Sequence, residues 1–160
     1  MNIALISSQG GHSGQIKIIF SKEVIGKNNA IFITEKESQK DFYSIKEKSF
    51  LNKYKTYFFR KDYLSFYPLR YLRTIFNLKE IFRKEKIDLV ITNGAQLSIP
   101  AVITAKLLGI KALFIDTVIR VKTPNWSARA SYFFSDIFLV QHQNMAGKYG
   151  KKAQYKGGII

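Results

Sequence analysis

The chain contains no cysteine, which excludes a disulfide framework and every thiolate zinc site and suits a reducing compartment. Acidic residues are scarce. Against 26 Lys and Arg stand 11 Asp and Glu, a formal charge of +15. Self-repulsion of that size is tolerated where an anion is usually close, and nucleic acid, anionic lipid headgroups and phosphorylated substrates all qualify. A Lys- and Ile-rich genome is the other source of such an excess. Long hydrophobic runs are also missing. The best candidate, around residues 99–115, is interrupted by Lys106, Gly109 and Lys111 and falls short of the roughly 20 apolar residues a spanning helix needs. The apolar start at residues 3–6 is too short for a signal peptide and has no basic leader. These absences predict a soluble chain that meets a membrane only from its cytosolic face. No repeat, low-complexity tract or linker is visible.

What is present is enough apolar material, 46% of 160 residues, to fill one core, and the chain reads as a single domain over residues 1–160. Short runs rich in Ile, Val, Leu and Phe fall at 2–7, 30–34, 55–59, 88–92, 111–116 and 136–141. They are nearly continuous rather than alternating, as strands buried on both faces of a parallel sheet must be. Helical period separates them. Ser13 is placed to cap a helix running to about Ile25. Pro68 suits the first turn of one reaching Lys86. A third spans 99–108 and stops at Gly109; a fourth covers 128–134; the stretch 35–48 is weakly patterned. Such alternation predicts a doubly wound α/β, Rossmann-like fold, whose ligands bind beyond the carboxyl ends of the strands.

The residues that follow the strands carry the chemistry. Ser7-Ser8-Gln9-Gly10-Gly11-His12-Ser13-Gly14 follows the first. Adjacent glycines allow a tight turn and bring backbone N–H groups toward an anion. The spacing is not Gly-x-Gly-x-x-Gly, although Glu35 lies where a ribose-binding acid of a dinucleotide site would. His12 reads as a base that accepts a hydroxyl proton in the crevice, as a cap on its own helix, or as a side chain simply exposed to solvent. His142 reads as a loop residue. Asn93-Gly94 after the fourth strand is turn chemistry that also leaves room for a substrate. Asp116 and Arg120 after the fifth suit sugar hydroxyls and a phosphate respectively, or pair with one another.

The combination is more specific than its parts. The Gly-Gly-His turn, Asn93-Gly94 with Pro100 after it, Asp116 followed by Arg120-Val121, and Asp136-Ile137-Phe138-Leu139-Val140-Gln141 resemble one family. It is the acceptor-side subunit of the two-part UDP-N-acetylglucosamine transferase of dolichol-linked oligosaccharide synthesis, with similar split enzymes in bacterial capsular and exopolysaccharide pathways. The resemblance runs from Asn2 to Tyr155-Lys156-Gly157-Gly158 and is least diagnostic over residues 35–87. It implies the N-terminal half of a GT-B type glycosyltransferase, inverting and UDP-sugar dependent. A separate small subunit would hold the nucleotide sugar, so this chain is expected to carry no cofactor or metal of its own. The acceptor would be a polyprenyl-diphosphate-linked sugar. His12 would be the catalytic residue, with Gly10, Gly11, Asn93, Gly94, Asp116 and Arg120 binding the acceptor. Two positions depart from the pattern: Gln15 stands where relatives carry an acid, and His142 where they often carry an aromatic. Eukaryotic members bear an N-terminal anchor; a chain starting at its first strand looks bacterial.

Residues 63–86 interleave aromatic and basic side chains. Tyr71, Ile75, Leu78 and Phe82 share one helical stripe, the usual mark of core packing. Arg70, Arg73, Arg83 and Lys84 suit an anionic membrane surface, where each is worth about 1 kcal/mol, and a cytoplasmic, peripheral location on the inner face of the cell membrane follows. The competing reading is nucleic-acid binding, which the charge permits, but no helix-turn-helix, ribonucleoprotein motif or zinc knuckle is seen. The family resemblance implies no nucleic-acid partner.

Overall fold

The computed structural model describes residues 1–8, 11–20, 25–36, 54–60 and 68–158. Among these residues seven strands form one parallel sheet: β1 (Asn2–Ile6), β2 (Asn29–Lys36), β3 (Lys55–Arg60), β4 (Leu89–Thr92), β5 (Lys111–Ile115), β6 (Ile137–Val140) and β7 (Ala153–Tyr155). Their order is β3-β2-β1-β4-β5-β6-β7. The helices are α1 (Gly11–Ile19), α2 (Pro68–Lys84), α3 (Ser98–Leu107), α4 (Trp126–Phe134) and α5 (Gln143–Tyr149).

The strands are apolar on both faces because both are covered. Ile3 and Leu5 join Phe32, Ile91 and Ile115 under Ile16 and Phe20, from α1 and its end. Ala4 and Ile6 face the other way and pack with Ile31, Ile33 and Val90 against Leu78 and Phe82 of α2 and Ala101, Val102 and Ala105 of α3. Registers such as Ala4↔Ile31 and Ala4↔Val90 bring those side chains level. Further along the same face, Phe114, Ala128, Phe138, Val140 and Met145 form a third cluster with α4 and α5. Phe114 and Phe138 stack there at 4.7 Å. Both are fully buried, and truncating a buried phenylalanine to alanine costs about 3–5 kcal/mol.

Several boundaries differ from the sequence reading. Helix α1 opens at Gly11, two residues before Ser13, so Ser13 lies within its first turn and not at its start. Of the stretch 35–48, the described residues Glu35 and Lys36 end β2, and the remainder lies outside the described residues. Helix α4 begins at Trp126, two residues early, since Asn125 caps it by accepting from the Ser127 N–H at 3.1 Å. Gly109 ends α3 at φ 68°, as read. Helix α5 and strand β7 were not anticipated: each is too short to show a period.

Candidate active site

The chain passes from β1 to β2 on one side and, after β3, to β4 on the other. The carboxyl ends of β1 and β4 therefore flank the point where strand order reverses, the usual ligand crevice of such sheets. His12 enters it from the first turn of α1. Its Nδ1 lies 3.0 Å from the Asn93 carbonyl oxygen, and Asn93 Nδ2 donates back to the His12 carbonyl at 2.5 Å. A carbonyl only accepts, so Nδ1 bears the proton and, in the neutral ring, Nε2 holds the lone pair. Gly94 lies against that ring. Its φ is 108°, and a Cβ there would lie 3.4 Å from His12 Cε1. Ala95 follows at φ 63°, a left-handed conformation that alanine adopts only under constraint.

Burial lowers the His12 pKa below its ordinary 6.5; the hydrogen bond to Asn93 and the charge of Asp116 oppose this, and Arg120 adds to it. The ring is thus neutral near pH 7, with a basic Nε2. Asp116 follows β5 and is 2% exposed. Its Oδ1 accepts from the Thr117 N–H at 2.9 Å, and Tyr149 donates a hydrogen bond to it. Burial raises its pKa above the usual carboxylate range, against those hydrogen bonds and the nearby Arg120 and His12. The Tyr149 hydroxyl is pushed strongly upward, by burial and then by Asp116, so it stays a donor. Its oxygen meanwhile accepts from the Asn125 N–H at 3.3 Å.

Arg120 is exposed, and among the described residues Asp116 and Arg120 form no ion pair. The loop bearing Arg120 is held from α5 by three donors. His142 Nε2 donates to the Val118 carbonyl at 2.7 Å, Asn144 Nδ2 to Val121 at 3.0 Å, and Lys148 Nζ to Lys122. His142, read from sequence as a loop residue, is therefore the N-cap residue of α5 and a clamp on this loop. Sequence reasoning missed Tyr149 and Asn144. Nothing in their local pattern marks them, because their partners are distant in sequence.

The structure thus brings together His12, Asn93, Gly94 and Asp116, with Arg120 near enough to act on their charges. Gly11 opens α1; Gly10 lies outside the described residues. On α2 the sequence-predicted stripe of Tyr71, Ile75, Leu78 and Phe82 faces inward, and the exposed apolar side chains lie off it. Leu78 and Phe82 are buried and Tyr71 and Ile75 half-buried, whereas Leu69, Leu72 and Phe76 are 79%, 51% and 61% exposed. Arg73, Arg83 and Lys84 are exposed too; the Arg70 side chain lies outside the described residues. Among the described residues no helix is long and apolar enough to cross a membrane.

Residues 3–159 match the family described as Oligosaccharide biosynthesis protein Alg14 like. The human UDP-N-acetylglucosamine transferase subunit ALG14 is 31% identical over 86 residues, which cover 50% of this chain and 39% of that protein. The match thus spans well under half of that relative's length. Among solved structures, Acinetobacter baumannii MurG superposes with a TM-score of 0.72 at 12% identity, over 98% of this chain and 45% of that one. A UDP-GlcNAc 2-epimerase from Neisseria meningitidis, solved bound to UDP-GlcNAc, gives 0.69 at 11% identity, over 99% of this chain and 47% of that one. At such identity the likeness shows the fold: the Rossmann-like half of a GT-B type molecule.

Proposed function

The chain belongs to the Alg14-like family of oligosaccharide biosynthesis proteins, and from that premise we propose that it is the acceptor-binding, membrane-recruiting subunit of a split glycosyltransferase. The observation that carries the reading is the pinned His12 ring. Asn93 fixes its tautomer, so Nε2 is the basic nitrogen at the crevice. A polyprenyl-diphosphate-linked sugar would lie over the carboxyl ends of β1, β4 and β5. His12 Nε2 takes the proton from its attacking hydroxyl as that oxygen bonds to the anomeric carbon of the donor sugar. The nucleoside diphosphate leaves from the opposite side, so configuration inverts. General-base assistance of this kind is worth about 10²–10⁴ in rate.

Gly94 leaves room for the acceptor, and the exposed Arg120 meets its diphosphate with a forked guanidinium. Asp116, being buried, acts through His12 by its charge. The donor UDP-sugar belongs to a separate small subunit that supplies the second Rossmann unit. Support for this comes from the longer chains above, of which this fold covers less than half. The exposed Leu69, Leu72 and Phe76 beside Arg73 and Arg83 on α2 support peripheral binding to an anionic membrane on its cytoplasmic face. The test is reconstitution. This chain alone is expected to show no transferase activity, and addition of the cognate small subunit is expected to restore it. Micromolar binding of a UDP-sugar by this chain alone overturns the split arrangement.

A further inference from the structure

Two buried amide side chains flank His12, and each leaves an oxygen without a hydrogen-bond partner. Asn93, 1% exposed, spends its Nδ2 on the His12 carbonyl, and its Oδ1 has no partner. Gln15 is 6% exposed and lies three residues after His12 on α1, close enough for both to share one face of the helix. Its Nε2 donates to Thr117 Oγ1 at 3.2 Å, beside Asp116, and its Oε1 likewise has no partner. Buried polar atoms are nearly always paired, so a cluster left open beside a candidate base implies that a ligand completes it.

The chemistry of the open atoms says which kind. An amide oxygen accepts and cannot donate. A phosphate has no proton to give at neutral pH beyond a fraction of one, and placing it here would oppose oxygen to oxygen. A group with O–H or N–H donors and no charge satisfies both oxygens at once. Arg120, the cation near the site, lies outside on the exposed loop. We infer that Gln15 is a specificity-determining residue that, with Asn93, takes hydrogen bonds from the hydroxyl or amide donors of a neutral sugar ring, while the diphosphate of the same ligand lies outward at Arg120. This orients the acceptor with its sugar inward, next to His12 Nε2. The inference rests on the acceptor-binding reading above and adds to it the direction in which the ligand lies and the side chain that reads its sugar.

The experiment compares two soluble probes: phytanyl diphosphate alone, and phytanyl diphosphate carrying glucose or N-acetylglucosamine. Binding to the full chain is followed by calorimetry for the natural sequence and for Gln15→Met, which keeps the length and apolar stem but removes the amide. The natural chain is expected to bind a sugar-bearing probe more tightly than the bare diphosphate. Gln15→Met should shrink that preference by about fivefold to tenfold, as for one lost hydrogen bond, and leave the bare diphosphate unaffected. Gln15→Met also removes the bond to Thr117 Oγ1, so the melting temperature without ligand should fall by a few degrees at most; a purely structural amide would show that fall with the sugar preference untouched. Binding of neither probe by the natural chain overturns the acceptor reading and this inference with it. A sugar preference that survives Gln15→Met, or a variant whose only change is a lower melting temperature, overturns the inference alone.

Discussion

His12 and Asn93 hold one another by a reciprocal pair of hydrogen bonds, ring nitrogen to backbone carbonyl at 3.0 Å and amide to backbone carbonyl at 2.5 Å. The pair ties the first turn of α1 to the end of β4, 81 residues away. The amide arm anchors the helix, and the ring arm sets the orientation of the imidazole. Asn93→Ala should lower the melting temperature by about 2–6 °C, taking about 1–1.5 kcal/mol for a part-buried bond in a domain of this size. The ring would still have the Asn93 carbonyl, so its pKa should move little. Thermal unfolding and turnover of the reconstituted transferase check the two halves of this expectation.

The acid limb of the pH–rate profile reports the base directly. Burial lowers the His12 pKa, so kcat/KM for the acceptor should fall on acidification with a midpoint below pH 6.5. Stability follows the same sign. A histidine whose folded pKa is below its unfolded one binds fewer protons when folded, so stability is lost as pH falls from 6.5 toward the folded value. A midpoint above 6.5 would show that the ring is not the buried, neutral base described.

Asp116 runs opposite to the usual carboxylate. Its folded pKa is raised by burial, so the ionised form costs stability at neutral pH, and that cost disappears as pH falls through the folded pKa. Asp116→Asn should raise the melting temperature at pH 7, with a gain that shrinks as the pH is lowered. The same change removes a charge that raises the His12 pKa, so the acid limb of activity should shift further down. Melting curves between pH 4 and about 8, with the rate profile of the same variant, test both directions.

Helix α2 offers a test of the membrane reading. Leu72 and Phe76 are exposed and stand four residues apart on the face that carries Arg73. Replacing Leu72 and Phe76 with Ser, and separately Arg73, Arg83 and Lys84 with Gln, should each reduce sedimentation with anionic vesicles. Only the second set should abolish its salt dependence. Since these side chains lie off the buried Leu78 and Phe82, the fold should be kept. Equal binding to neutral vesicles sinks the electrostatic part, and salt-sensitive binding to RNA in its place would favour a nucleic-acid partner.

The sheet was legible in the sequence because strands buried on both faces leave unbroken apolar runs; β1, β4 and β5 fell within a residue of their predicted ends. Strand β7, three residues long at the sheet edge, leaves no such run. Of the site, the turn residues His12 and Gly94 were visible because glycine and histidine are conspicuous after a strand. The buried state of Asp116, the bond from Tyr149 and the clamp made by His142 were not. They depend on pairings such as Asn144 to Val121 across 23 positions, which no local spacing encodes. Gln15 stood out as a departure from a family pattern, and its unpaired oxygen is visible only in three dimensions.

The sharpest expectation concerns His12 itself. The helix-cap reading has the imidazole bonding the start of its own helix, but the ring bonds the Asn93 carbonyl instead. His12→Gln keeps a donor within reach of that carbonyl and removes the basic nitrogen. It should therefore preserve the melting temperature to within about 2 °C, roughly the effect of 0.5 kcal/mol here, while lowering single-turnover rate in the reconstituted transferase by about a hundredfold or more. His12→Ala should lose both, since it also leaves the Asn93 carbonyl unpaired. Acceptor KM should change little in His12→Gln, because a general base acts in the transition state more than in binding. Near-normal turnover of a well-folded His12→Gln would remove the residue from the proton transfer and leave it as a brace between α1 and β4.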